Sequence, residues 1–289
     1  MVSGGKLRDL RTAAAAALLA GVIAIWIAPA HAGAQGPQPS TSVSAQRIND
    51  AIAGGWLGEV VAGAWGYRDE FDFNGRTVPR RAIPPYRPKF TSRYTFGGGN
   101  RAASDETYVE IPLIEALRRY GLQADWGQLA QPFAASQFLL FGANDTARKN
   151  LRAGLLPPDS GAPAHSPYSQ EIDFQIESDF IGMAAPAQPG AAVEMAWRLG
   201  HIMNYGDGVY GGVMVSAMHA AAFRAKSVDE IVAAGQAAVP EGTAYRRMID
   251  DVISWHRLYP GNWRAAWNLL EQNWDHPDPT APHPGELPG

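Results

Sequence analysis

Tyr245-Arg-Arg-Met-Ile-Asp-Asp-Val-Ile253 sets the fold class. Its apolar side chains Tyr245, Met248, Ile249, Val252 and Ile253 fall at i, i+3, i+4, i+7 and i+8. That spacing lines them along one side of an α-helix. The same period returns on either side. Trp263, Trp267, Leu270 and Trp274 form a second apolar stripe, and Val209 to Phe223 is apolar throughout and rich in Ala, Gly and Met, as a buried helix would be. Pro189 opens a helix running to about Met203, followed by a sharp turn at Tyr205-Gly-Asp-Gly208. Val109, Leu113, Leu117 and Tyr120 share a face behind Ser104, where Pro112 must kink the helix or begin a second one. Ala147 to Ala153 ends a further helix at the loop Gly154 to Gly161. Ile48, Ile52, Leu57 and Val60 open an amphipathic segment, and its Ala51, Ala53, Gly54 and Gly55 let a neighbouring helix approach closely. Tyr67 to Phe90, with four prolines, reads as irregular, and Gly97 to Asn100 as a turn. Strand-like alternation is scarce, so the sequence predicts an all-α domain. The tryptophans, Trp56, Trp65, Trp263 and Trp267 among them, are expected to pack its core.

Composition narrows the function classes. The chain has 289 residues, 46% hydrophobic and 18% charged, which is globular rather than disordered. Net charge is −4 with no run of five Lys or Arg, which argues against nucleic acid as a partner. Absence of cysteine excludes disulfides, thiolate metal sites and cysteine nucleophiles.

No P-loop, dinucleotide-binding glycine fingerprint, G-x-S-x-G elbow or H-E-x-x-H helix is present. Seven histidines are scattered, His201 and His219 being the nearest useful pair. Ser104-Asp-Glu-Thr107 places two carboxylates and two hydroxyls in four consecutive residues. Hard oxygen donors of this kind suit Mg²⁺, Mn²⁺ or Ca²⁺. The same residues also suit a helix N-terminus, with Ser104 as cap and two acids in the first turn.

Five segments, in order, resemble the ADP-ribosylglycohydrolase family. They are Ile52-Ala-Gly-Gly-Trp-Leu-Gly-Glu-Val-Val-Ala-Gly-Ala-Trp-Gly66 with Glu70 beyond it; Ser104-Asp-Glu-Thr107; Asn150-Leu-Arg-Ala-Gly-Leu-Leu-Pro-Pro-Asp-Ser-Gly161; Gln175-Ile-Glu-Ser-Asp-Phe-Ile-Gly-Met-Ala-Ala-Pro186; and Gly206-Asp-Gly-Val-Tyr-Gly-Gly-Val-Met-Val-Ser-Ala-Met218. The last three are similar to a bacterial branch. The resemblance implies a helical bundle around a central cleft that holds two divalent cations, Mg²⁺ or Mn²⁺, in a complete member. It maps Ser104, Asp105 and Glu106 onto metal ligands, Glu106 standing where the family has Asp. Glu70 and Asp105 become the catalytic pair. The implied reaction is metal-assisted hydrolysis of an N- or O-glycosidic bond to a ribose, on a small or protein-linked ribosyl glycoside. His201, Asp207 and Tyr210 are the candidates to meet substrate. His201 also reads as a hydrogen-bonded structural histidine, and Asp207 as a turn residue. Asp179 suits either a substrate-facing or a capping role, and Arg152 a clasp on the Pro-Pro loop after it.

The family's later Asp-x-Asp-Thr/Cys motif has no counterpart. Asp275-His-Pro-Asp-Pro-Thr280 has the wrong spacing, and its prolines stand where a helix should begin. The reading is therefore of a C-terminally incomplete fold that binds one ion at most, and weakly. Two alternatives stand beside the hydrolase: a non-catalytic exported binding or structural member of the same fold, and a secreted helical protein of incidental likeness. Oligomeric state is not legible.

Four segments follow along the chain: a signal peptide over 1–32, a linker over 33–45, the helical domain over 46–274 and a proline-rich tail over 275–289. Lys6, Arg8 and Arg11 precede an apolar run from Ala13 to Ile27, and Ala30-His-Ala32 offers a small-x-small cleavage site. The run is short of the roughly 20 residues of a membrane span, and no stable span is expected after cleavage. The chain is thus expected to be exported, periplasmic or secreted. Mass spectrometry of the exported protein should find Gly33 at its N-terminus; a membrane-held form retaining Met1 would contradict this.

Overall fold

The computed structural model describes residues 43–69, 72–73, 75–87 and 105–274. Glu70, Ser104, the Gly97 to Asn100 turn, the signal-peptide residues and the tail from Asp275 lie outside the described residues. Eleven α-helices and no strand are found among the described residues. They are α1 (Ala45–Gly66), α2 (Asp105–Tyr120), α3 (Trp126–Ala135), α4 (Gly142–Arg152), α5 (Asp173–Ile176), α6 (Asp179–Ala184), α7 (Pro189–Gly200), α8 (Asp207–Ala222), α9 (Val228–Ala238), α10 (Ala244–Leu258) and α11 (Trp263–Trp274). No described helix is long and apolar enough to cross a membrane.

Helix α8 is the hub, in contact with α5, α6, α7, α9 and α10. It is apolar all round, so each side must be covered. Small residues make that possible. A Cβ on Gly182 of α6 would come within 2.4 Å of the His219 Cβ and 2.5 Å of the Ser216 carbonyl on α8. A Cβ on Gly212 of α8 would meet the Phe174 ring at 2.3 Å. The backbones of α5, α6 and α8 therefore lie in near-direct contact. The turn into α8 hinges on Gly206, whose φ of +56° suits glycine. Helix α8 already begins at Asp207, so only the first half of the predicted Tyr205 to Gly208 turn is non-helical.

Helix α2 buries Val109, Leu113 and Ala116 at i, i+4 and i+7. It runs unbroken through Pro112, which is itself buried. The proline forfeits one backbone bond toward Tyr108, and tertiary packing of the apolar face carries the helix through. Helix α3 packs on α2, α4 and α7. Its start is a capping box that the periodicity reading passed over: Asp125 accepts from the Gln128 amide at 2.8 Å, and Gln128 accepts from the Asp125 amide at 3.0 Å.

Three expectations are corrected. Leu57 is 64% exposed, so the buried side of α1 runs through the half-buried Ile52 and Trp56 instead. None of the eight described tryptophans is fully buried. Helices α10 and α11 pair with each other at the rim and bury no residue completely, leaving Trp263 beneath the Arg264 guanidinium at 4.3 Å. Arg152 clasps the end of α3 through the carbonyls of Ala134 and Ser136, at 2.9 and 2.7 Å. The Pro-Pro loop is held by Asn150, which donates to the carbonyls of Ser160 and His165.

Gly182→Ala should cost about 1–3 kcal/mol of stability, because the methyl collides with backbone. Gly54→Ala, in α1 with nothing within 4 Å of the new Cβ, should stabilise by about 0.5–1 kcal/mol. Urea denaturation of both variants checks this pair of opposite signs.

Candidate functional site

The first turn of α2 presents Asp105, Glu106 and Thr107, and one turn on the same helix presents Glu110. Two carboxylate groups gather along this stretch. The first joins Asp105 and Glu106 to Asp173 and Glu177 of the α5 segment. Burial raises the Asp105 carboxyl to about 6, with Glu106 and more weakly Asp173 adding to the effect. Glu177 is wholly enclosed. Burial lifts it well above the ordinary carboxylate range, and Asp173, Asp105 and Glu106 push the same way. Asn144 donates to Glu177 Oε1, while Glu177 Oε2 is buried without a donor.

The α5 segment is delivered to this place by two sets of bonds. Asn204, just before the Gly206 turn, is buried and donates to the carbonyls of Ser169 and Glu171 at 3.1 and 2.9 Å. Its Oδ1 accepts from the Phe174 amide at 3.1 Å. On the other side, α4 begins at Phe141 without a side-chain cap. Asp173 supplies the missing acceptor, taking the Asn144 amide at 3.3 Å. Asp173 is thus part helix cap, and burial still raises its carboxyl. Burial and Asp173 together raise neighbouring Glu171 to about 7.

The second group is Glu59 from α1, Glu110 from α2 and Asp179 at the start of α6, with one oxygen of each within 4.8 Å of the others. Thr107 Oγ1 donates to Glu59 Oε1 at 2.5 Å. Burial raises Glu59 to about 7, against the Thr107 bond and with help from Asp179 and Glu106. Glu110 is fully buried and pushed up to about 12, by burial first and then by Asp179 and Glu59. Asp179 in turn reaches His219 of α8, whose own burial keeps it below the ordinary histidine value. Among the described residues, none of Asp105, Glu59, Glu110, Asp173, Glu177 or Asp179 forms an ion pair with Lys or Arg. Such a run of buried acids either keeps protons or takes up a hard cation.

The sequence candidates divide accordingly. Asp105 and Glu106 lie among the carboxylates; Ser104 and Glu70 lie outside the described residues. His201 sits apart, in an aromatic cluster with Trp197, Trp126 and Tyr205, its Nδ1 2.6 Å from the Trp197 carbonyl. Burial lowers its pKa, and no carboxylate acts on it. Asp207 occupies the first turn of α8 and adds to burial, the larger cause, in raising the hydroxyl of Tyr245, which donates to Gln175 Oε1 at 3.0 Å. Tyr210 follows one turn on, half-buried. Glu59, Glu110, Asp173 and Glu177 were not singled out from sequence, although Glu110 stands at i+4 from Glu106 on an otherwise apolar helix face. A surface pocket of about 490 Å³, lined by Phe73, Arg76, Ile83, Trp263 and Trp267 among others, includes none of these carboxylates.

The ADP-ribosylglycohydrolase family model matches residues 44–281. The chain belongs to the ADP-ribosylglycohydrolase family. Its all-α architecture agrees with that family's fold. No curated protein and no solved structure matches the chain. The divalent cations on which members of this family typically depend suit the donors present, since all are hard oxygens and Glu177 Oε2 is buried without a partner.

Removing metal should expose the proton dependence of these carboxylates. A raised carboxyl binds more protons folded than unfolded, so its stabilising effect is full below its unfolded pKa and is lost as pH rises through the folded one. For Glu59 the window runs from about 4.5 to about 7. The buried histidines act in the opposite sense, so the variant difference isolates Glu59. In chelator, the Tm of the wild type minus that of Glu59→Gln should fall steadily from pH 5 to pH 8. A flat difference would show that Glu59 titrates as an ordinary surface acid.

Proposed function

We propose that this chain hydrolyses a ribosyl N- or O-glycosidic bond, with Asp105, Glu106 and Glu177 holding Mg²⁺ or Mn²⁺. Ser104 and Glu70, implicated by the family motifs, complete the same centre in this reading. The observation that carries it is that the charges of Asp105 and Glu106 act on the enclosed Glu177 carboxylate, which comes from a separate segment. Glu177 and Asp173 add carboxylates from a second segment to the pair on α2. When bound, the cation supplies Lewis acidity that orients the ribose hydroxyls and polarises water.

The protein's part is electrostatic and geometric. Positive charge develops at the anomeric carbon as the glycosidic bond stretches, and a wall of carboxylates favours that charge. Water oxygen bonds to the anomeric carbon while the C–N or C–O bond breaks, its electron pair leaving with the departing group. Asp105, which the family motifs put in the catalytic pair, takes the proton that the water loses. The departing group takes a proton from solvent, which balances the step. The family supports ADP-ribosylated substrates. Export through a cleaved signal peptide, part of the same proposal, favours a small extracellular or periplasmic ribosyl glycoside over cytoplasmic ADP-ribosyl proteins.

Release of ADP-ribose or ribose from a panel of ribosyl glycosides, with Mn²⁺ present, tests the reading. Asp105→Asn should reduce kcat by about 10²–10⁴-fold, and chelation should reduce it at least as far. An Asp105→Asn variant as active as wild type would misplace the centre. No turnover of any glycoside by the wild type, with Mn²⁺ still bound, would favour the non-catalytic binding member.

A further inference from the structure

Glu59, Glu110 and Asp179 are not explained by the hydrolytic centre. They come from three separate helices, α1, α2 and α6, and one oxygen of each lies within 4.8 Å of the others. Glu110 has no exposed surface, and neither of its oxygens has a donor. Glu59 Oε2 and Asp179 Oδ1 are likewise buried without a donor. Four enclosed carboxylate oxygens therefore share one spot, where the Thr107 hydroxyl serves Glu59 Oε1 and the Phe180 amide and the Asp179 carboxyl act on Glu110. Three acids in such a place repel one another unless protons or a cation stand between them.

We propose that Glu59, Glu110 and Asp179 bind one divalent cation of the Mg²⁺, Mn²⁺ and Ca²⁺ class, distinct from the ion of the hydrolytic centre, and that this ion fastens α1 to the core. Three carboxylates, each able to bind through one or two oxygens, match the coordination of a hard divalent ion. Glu110 stands four residues along α2 from Glu106, about one turn or 5–6 Å deeper. Glu59 and Asp179 belong to elements other than the one that brings Asp173 and Glu177. The ion would matter most to α1, whose hold on the core is otherwise slight. Of its 22 residues only Ala64 is buried, and Ile52 and Trp56 are half-buried against the core. Glu59 is the α1 side chain that reaches Asp179 and the Thr107 hydroxyl. The inference does not rest on the chain being a hydrolase.

The test uses Mn²⁺ and the full chain stripped with chelator. In the Asp105→Asn, Glu177→Gln double variant the first centre is disabled. Isothermal titration should still find one Mn²⁺ per chain, and hydrogen exchange over residues 45–66 should slow when it binds. Adding Glu110→Gln should take the stoichiometry from one to zero and remove the protection. Asp179→Asn serves as a second variant should Glu110→Gln fail to fold. No Mn²⁺ bound by the double variant would overturn the proposal, as would one Mn²⁺ retained after Glu110→Gln or Asp179→Asn. Binding without slower exchange in 45–66 would overturn the fastening of α1. Hydrolytic activity enters none of these readouts, so the two proposals fail separately.

Discussion

Carboxylates buried against one another without a basic partner are the constraint on which the rest of this molecule turns. Asp105, Glu110, Asp173 and Glu177 are drawn from water at the start of α2, and burial is the largest cause of each raised pKa. An enclosed acid that has lost its hydration and found no cation is among the costliest features a fold can carry. A chain whose only requirement was stability would have apolar side chains there. The acids therefore point to an occupant, whether protons or a hard cation.

The surrounding helices make sense as the means of assembling those acids. Helix α8 forms the floor, and glycines at the contacts with α5 and α6 let their backbones approach closely. That closeness brings Asp179 beside Glu110 and sets Glu177 beside Asn144. Asn204 then ties the segment from Ser169 to Phe174 to the end of α7 with three hydrogen bonds. The Gly206 turn reaches the acids through this neighbour, while Asp207 and Tyr210 stand on the first turns of α8. His201, similarly, belongs to an aromatic cluster and not to the acids.

Much of this was legible in the chain. Helical periods around Tyr245, Val209 and Val109 identify the fold class because burial of one face is a local, repeating demand. Ser104 to Thr107 announces an acidic helix start, and the family likeness draws on the same residues. What stayed hidden is non-local. Glu110 interrupts an apolar stripe and looks like a surface residue until Glu59 of α1 and Asp179 of α6 are seen beside it. Asp173 and Glu177 gain meaning only through Asn204 and the uncapped end of α4, 30 residues or more apart in sequence from their partners in the Asn204 and Glu177 contacts. Tryptophans at Trp263 and Trp274 misled in the other direction. Their spacing gives a true helix, but that helix pairs with α10 at the rim, where amphipathic rings rest half in water.

Anomalous diffraction from a crystal grown with Mn²⁺ addresses the carboxylate arrangement most directly. Peaks are predicted at two places, one among Asp105, Glu106 and Glu177, the other among Glu59, Glu110 and Asp179. Well-ordered crystals that show these side chains clearly and yet carry no Mn²⁺ peak at either place would contradict the idea that the buried acids of this fold exist to hold cations.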